Sequence, residues 1–100
     1  MGVIYFQNKQ YDKALAAYEN AVRFDPKFSD GWMNLGSTYG TLGKYNEAIA
    51  AFKKCIEYNP QNAMAYYFIG ITYQNLGDPS NASYFLNQAY ALNPSLKGKQ

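Results

Sequence analysis

Few side chains in this sequence are equipped to do chemistry. There is one cysteine, Cys55, and no histidine. A nucleophilic thiolate or hydroxyl needs an adjacent base to activate it, and a Cys/His zinc site needs several soft ligands. Neither a Ser-His-Asp triad, a Cys-His dyad nor such a zinc site can be assembled from these hundred residues, and one cysteine cannot form an internal disulfide. The seven Asp and Glu residues are scattered, with no pair at a spacing suited to acid-base work. Asn81-Ala82-Ser83 spells a glycosylation acceptor, but it falls within a helical stretch, and a three-residue pattern recurs by accident. Lys53-Lys54 and Lys97-x-Lys99 read as solvated charge. No catalytic residue, metal ligand or cofactor is expected, so function has to be sought in surfaces.

Length and composition narrow those surfaces. One hundred residues, 48% hydrophobic and 16% charged, suit one small domain with a single core. Nine Lys and Arg against seven acids leave a charge of +2, too little for a phosphate-binding surface, so nucleic acid is not an expected partner. The sequence lacks an apolar run long enough to span a bilayer and opens without a secretory leader, which makes the cytoplasm the expected location. The aromatic share of 18%, with eleven tyrosines, points to broad packing surfaces between elements or with a partner.

The elements that position these side chains are announced by a repeat. Asp25-Pro26, Asn59-Pro60 and Asn93-Pro94 place prolines at a constant spacing of 34 residues. In the same register Gly2, Gly36 and Gly70 align, as do Tyr5, Tyr39 and Tyr73, Ala14, Ala48 and Ala82, and Ala21, Cys55 and Ala89. Cys55 thereby reads as a small packing residue. Apolar residues recur at helical spacing on both sides of breaks at Lys9-Gln10, Gly43-Lys44 and Gly77-Asp78, which predicts two helices per unit. Each Asx-Pro pair ends a second helix, because the residue before proline is steered out of the α region. Asp78 is a good N-cap, and Pro79 at the first helical position starts a helix expected to run to about Leu92.

Trp32-x2-Leu35-Gly36-x2-Tyr39, followed by Ala48-x3-Phe52 and Pro60, resembles the tetratricopeptide repeat signature at every position. The third unit keeps Tyr66, Ile69, Gly70, Tyr73, Ala82, Ala89 and Pro94 and departs at Leu86, where an aromatic is usual. The resemblance implies an all-α fold, a right-handed α-solenoid of antiparallel helix pairs. Repeat one spans residues 1–28 and lacks its opening residues, repeat two spans 29–62, repeat three 63–96, and 97–100 form a tail. These limits suggest a segment of a longer array. Physically, Trp32, Leu35, Gly36 and Tyr39 form one helical stripe, Ala48, Phe52 and Cys55 form the answering one, and Gly36 permits close approach.

In the family the inner surface is lined by the first helix of each unit. Here that stripe comprises Val3, Phe6 and Gln7 in unit one, and Asp30, Met33, Asn34, Ser37, Gly40 and Thr41 in unit two. Unit three adds Met64, Tyr67, Phe68, Ile71, Gln74 and Asn75. Only Asn34 suits a clamp for a terminal carboxylate, since Met64 and Phe68 stand where cations are expected, and Phe68 also interrupts an asparagine ladder. The stripe instead predicts a groove for apolar side chains, with a notch where Ser37, Gly40 and Thr41 leave little bulk. Gln7, Thr41 and Asn75, at equivalent positions, are candidate polar rungs for a ligand backbone.

The expected function is a non-catalytic protein-protein interaction module that holds a peptide segment of a partner. The alternatives are a structural or self-assembling array segment and an accessory domain of a larger enzyme. The final helix has no successor, and the tail is too short to serve as a cap. Phe85, Ala89 and Leu92, with Leu96 nearby, are therefore expected to form an apolar patch through which homo-oligomers associate.

Overall fold

The computed structural model describes residues 2–99, with side chains described for residues 10–98. The elements are α1 (Gly2–Phe24), α2 (Ser29–Thr41), α3 (Tyr45–Tyr58), α4 (Ala63–Asn75) and α5 (Pro79–Leu92), closed by a 3-10 helix (Pro94–Lys99). Helices α2 and α3 pack as one hairpin and α4 and α5 as the next, with α3 against α4 and α1 against α2. This is an all-α solenoid in which α1 supplies the second helix of the unit before α2.

Two turn types punctuate the chain. Within each hairpin the first helix ends in a paired hydrogen-bond motif: Gly43 N–H donates to Gly40 O (3.1 Å) and Lys44 N–H to Tyr39 O (2.8 Å), while Gly77 donates to Gln74 (3.0 Å) and Asp78 to Tyr73 (2.9 Å). That geometry needs a left-handed residue after the cap, supplied by Gly43 (φ 80°) and Gly77 (φ 75°). The equivalent position in unit one is Lys9, and no non-glycine residue described adopts positive φ. The break expected at Lys9-Gln10 is accordingly absent, and α1 runs unbroken through it. A side chain with a Cβ resists the left-handed conformation, so the first unit is one continuous helix where a hairpin was expected.

The second turn type joins units. Phe28 N–H donates to Asp25 O, Asn62 to Asn59 O and Leu96 to Asn93 O, each at 3.1 Å, so each Asx-Pro pair redirects the chain identically. Asn62 and Asp78 then cap the helices that follow, accepting from Ala65 N–H and Asn81 N–H at 3.2 Å.

Inside each hairpin, helix approach is set by a glycine. A Cβ on Gly36 would lie 2.6 Å from the Phe52 ring, and one on Gly70 would lie 2.6 Å from Leu86 Cγ. Around these contacts the buried core gathers Ala48, Ile49, Phe52 and Ile69 in one cluster and Val22, Leu35 and Ala51 in another.

The C-terminal end differs from expectation. The tail does form a cap: the Asn93 carboxamide accepts from Ser95 N–H (3.2 Å) and from Ser95 Oγ (2.7 Å), and the 3-10 helix turns Leu96 inward to 2% exposure. Ala89 is fully buried, and the Phe85 ring faces back between Tyr66 and Tyr73. Of the expected patch only Leu92, 39% exposed, remains a sizeable outward apolar group. Phe85, Ala89 and Leu92 thus do not form one surface, because local turn bonds hold a six-residue segment that helix propensity alone would not.

Gly70→Ala should lower stability by about 1–3 kcal/mol, since the added methyl meets both Leu86 Cγ and, at 3.1 Å, the Leu86 backbone nitrogen. At Gly40 the nearest atom to a new Cβ is 4.0 Å away, so Gly40→Ala should raise stability by up to about 1 kcal/mol. Urea unfolding midpoints of the two variants check this pair.

Candidate functional site

The face on which α2 lies beside α4 carries the stripe read from the sequence. A cavity of about 290 Å3 opens there, walled by Ser37, Gly40 and Thr41 from α2 and by Phe68, Ile71 and Asn75 from α4, with Phe52 at its base. The Phe68 ring is tilted against Phe52 at 5.7 Å and against Tyr67 at 6.0 Å between centroids, which fixes one wall to the core. The other residues of the stripe do not line this cavity. Met33 packs on the core cluster and Tyr67 is half-buried, whereas Asp30, Asn34, Met64 and Gln74 lie outside its walls, with Gln74 exposed. The side chains of Val3, Phe6 and Gln7 lie outside the described residues.

The polar groups of this face differ in what they can offer. Thr41 Oγ donates to Ser37 O at 3.0 Å, so its proton is committed to its own helix and only its lone pairs remain for a ligand. Asn75 is exposed beside the cavity and carries both donor and acceptor atoms. The buried hydroxyls of Thr38 and Thr72 are likewise spent on Asn34 O (2.9 Å) and Phe68 O (2.7 Å).

A larger cavity, about 680 Å3, lies on the opposite side, and the sequence stripes did not indicate it. Its floor is Trp32, Leu35 and Tyr39 of α2; α1 and α3 form its walls. The signal available in the sequence was the adjacent pair Ala50-Ala51, small residues where unit three has Tyr84-Phe85. Trp32 is pinned by its indole N–H donating to Pro26 O at 2.7 Å. Burial, with the Glu19 and Glu47 carboxylates next, raises the pKa of the Tyr39 hydroxyl.

Cys55 is fully buried. Asn62 Nδ2 donates to its Sγ at 3.5 Å. Burial raises the thiol pKa; the Asn62 contact opposes this and the Asp30 carboxylate adds to it. The thiol is a core group. Among the described residues no cluster of His, Cys, Asp or Glu is arranged to hold a metal ion, and no helix is long and apolar enough to cross a membrane.

Three family models match the chain: one described as TPR repeat over residues 2–43, and two described as tetratricopeptide repeat over 29–62 and 51–82. The chain belongs to the tetratricopeptide repeat family. Among solved structures it is similar to MamA, at 26% identity and a TM-score of 0.83, over 99% of this chain and 57% of that one. It is also similar to YrrB, described as a TPR protein with an unusual peptide-binding site, at 25% identity and a TM-score of 0.82, over 93% of this chain and 48% of that one. A chain of the CopN-Scc3 complex shares the fold, at 22% identity and a TM-score of 0.81, over 91% of this chain and 54% of that one. The chain thus spans about half the length of these neighbours. No curated protein sequence matches it significantly.

Burial of Cys55 and Tyr39 has measurable consequences. Alkylation of Cys55 by iodoacetamide should be at least about 100-fold slower in the native protein than in urea, because only the exposed thiolate reacts. Both groups are raised from ordinary values of 9.0 and 10.0, so the folded state keeps their protons to higher pH than the unfolded chain. Their contribution to stability is complete below about pH 9 and is lost as pH rises further. Urea midpoints measured from pH 7 to 11 should therefore fall above pH 9.

Proposed function

We propose that this tetratricopeptide repeat segment is a protein-interaction module that holds an extended peptide segment of a partner along its first-helix face. The observation that carries this reading is the cavity between α2 and α4, where Gly40 opens room beside a fixed aromatic wall at Phe68. An apolar or aromatic side chain of the ligand enters that notch, and its backbone runs past Asn75, whose Nδ2 can donate to a backbone carbonyl and whose Oδ1 can accept from a backbone N–H. Affinity comes from the anchored side chain, and the polar edge fixes register. Stacked helix pairs present an extended surface suited to such a ligand. YrrB, a family relative at 25% identity, is described as having a peptide-binding site, which supports the same class of ligand here.

A peptide-array screen against the purified chain supplies the ligand for the test. Selected peptides should share an apolar or aromatic anchor, and Gly40→Leu, which fills the notch and favours the helix, should weaken their binding by about tenfold or more. Asn75→Ala should cost a further 0.5–1.5 kcal/mol, on the order of one hydrogen bond. Unchanged affinity in Gly40→Leu, measured by fluorescence anisotropy, would overturn the assignment to this face.

A further inference from the structure

The repeat provides an internal standard for the larger cavity. In the layer formed by α3, α4 and α5, the Phe85 ring stacks against Tyr66 and Tyr73, with centroids 6.5 and 5.7 Å away. The Lys53 ammonium sits over that ring at 5.8 Å. Thirty-four residues earlier the same layer is built by α1, α2 and α3. There Trp32 and Tyr39 stand for the two tyrosines, Ala51 for Phe85 and Glu19 for Lys53. The aromatic side walls are kept while the ring between them is missing, and the 680 Å3 cavity opens at that place.

The charge at this place is also inverted. Where unit three has Lys53 and Asn81, the cavity has Glu19 and Glu47, both acting on the Tyr39 hydroxyl at one end. Arg23 and Lys54 line it a turn or more further along their helices. A cation is therefore drawn to the Tyr39 end, while Trp32 and Tyr39 line the cavity with aromatic faces for a ring entering from outside.

We infer that the groove between α1 and α3 is a second binding site, for a partner peptide bearing an aromatic side chain next to a lysine or arginine. The aromatic ring takes the place that Phe85 fills one repeat later, and the basic group pairs with Glu19 and Glu47. This site is on the opposite side of α2 from the first-helix groove and is independent of it.

Trp32 is the only tryptophan, so its indole N–H resonance reports this groove alone. The probe is the capped tetrapeptide Gly-Lys-Phe-Gly, with Gly-Lys-Ala-Gly and Gly-Glu-Phe-Gly as controls. Titration of the full chain should give a saturable shift of the indole signal with the first, and binding about tenfold or more weaker with either control. Ala51→Phe, which copies the next repeat, should abolish the shift with a native circular dichroism spectrum. Glu19→Lys, at a half-buried position on the α1 wall of the groove, should reverse the preference between the Lys-Phe and Glu-Phe probes and does not depend on refilling the core. Gly40→Leu should leave the titration unchanged, which separates this site from the first-helix groove. Equal binding of the three probes, no saturable shift, or a shift that survives in both Ala51→Phe and Glu19→Lys would overturn the inference. So would an indole signal that moves with protein concentration alone, since that would seat a second copy of the chain in the groove.

Discussion

The contact on which the rest of the structure depends is the seating of a large side chain on a bare glycine inside each hairpin. Phe52 lies on Gly36 and Leu86 on Gly70, each so close that a Cβ would fall 2.6 Å from its partner. Helices that approach this closely exclude water from the seam and bury Ala48, Cys55, Ala82 and Ala89, whose small side chains suit a narrow gap. Leu86 occupies the place of Phe52 without loss of the close approach. The departure from the family signature at that position is thus a change of shape within one packing scheme.

Left-handed glycines decide how many hairpins the chain has. Gly43 and Gly77 close the two hairpins; Lys9 stands where a third such glycine would be, and α1 continues through it. Apolar periodicity is blind to this distinction, because a continuous amphipathic helix and two helices with a tight turn have nearly the same pattern on either side of the junction. The backbone conformation needed at a single residue separates them.

The two faces of α2 inherit different consequences from the same repeat. On the first-helix side, sparse side chains at Ser37 and Gly40 meet bulky ones at Phe68 and Ile71, and the mismatch leaves a cavity. On the second-helix side, alanine stands in place of phenylalanine between aromatic walls that both units share, and a larger one results. Both arise where one unit lacks volume that its neighbour supplies, as close packing requires. Repetition with local substitution is thus enough to generate surface relief without any change of backbone scheme.

The sequence by itself determined the helical class, the 34-residue period, the span of α5 and its Asp78 cap, and the buried stripe of Ala48, Phe52 and Cys55. Those features are local or periodic, and side-chain type, spacing and proline stereochemistry encode them within a turn or two of helix. It also marked Ser37, Gly40 and Thr41 as lacking bulk, although which of the neighbouring stripe residues surround that space became visible only in three dimensions. The tertiary structure alone decided that Phe85 turns back between Tyr66 and Tyr73, that Leu96 closes the C-terminal end, and that the larger cavity lies beside Ala51. Each of these depends on which residues of distant helices meet. A one-dimensional pattern records that a residue is apolar, and the direction of its side chain is settled by the volume left open by its neighbours.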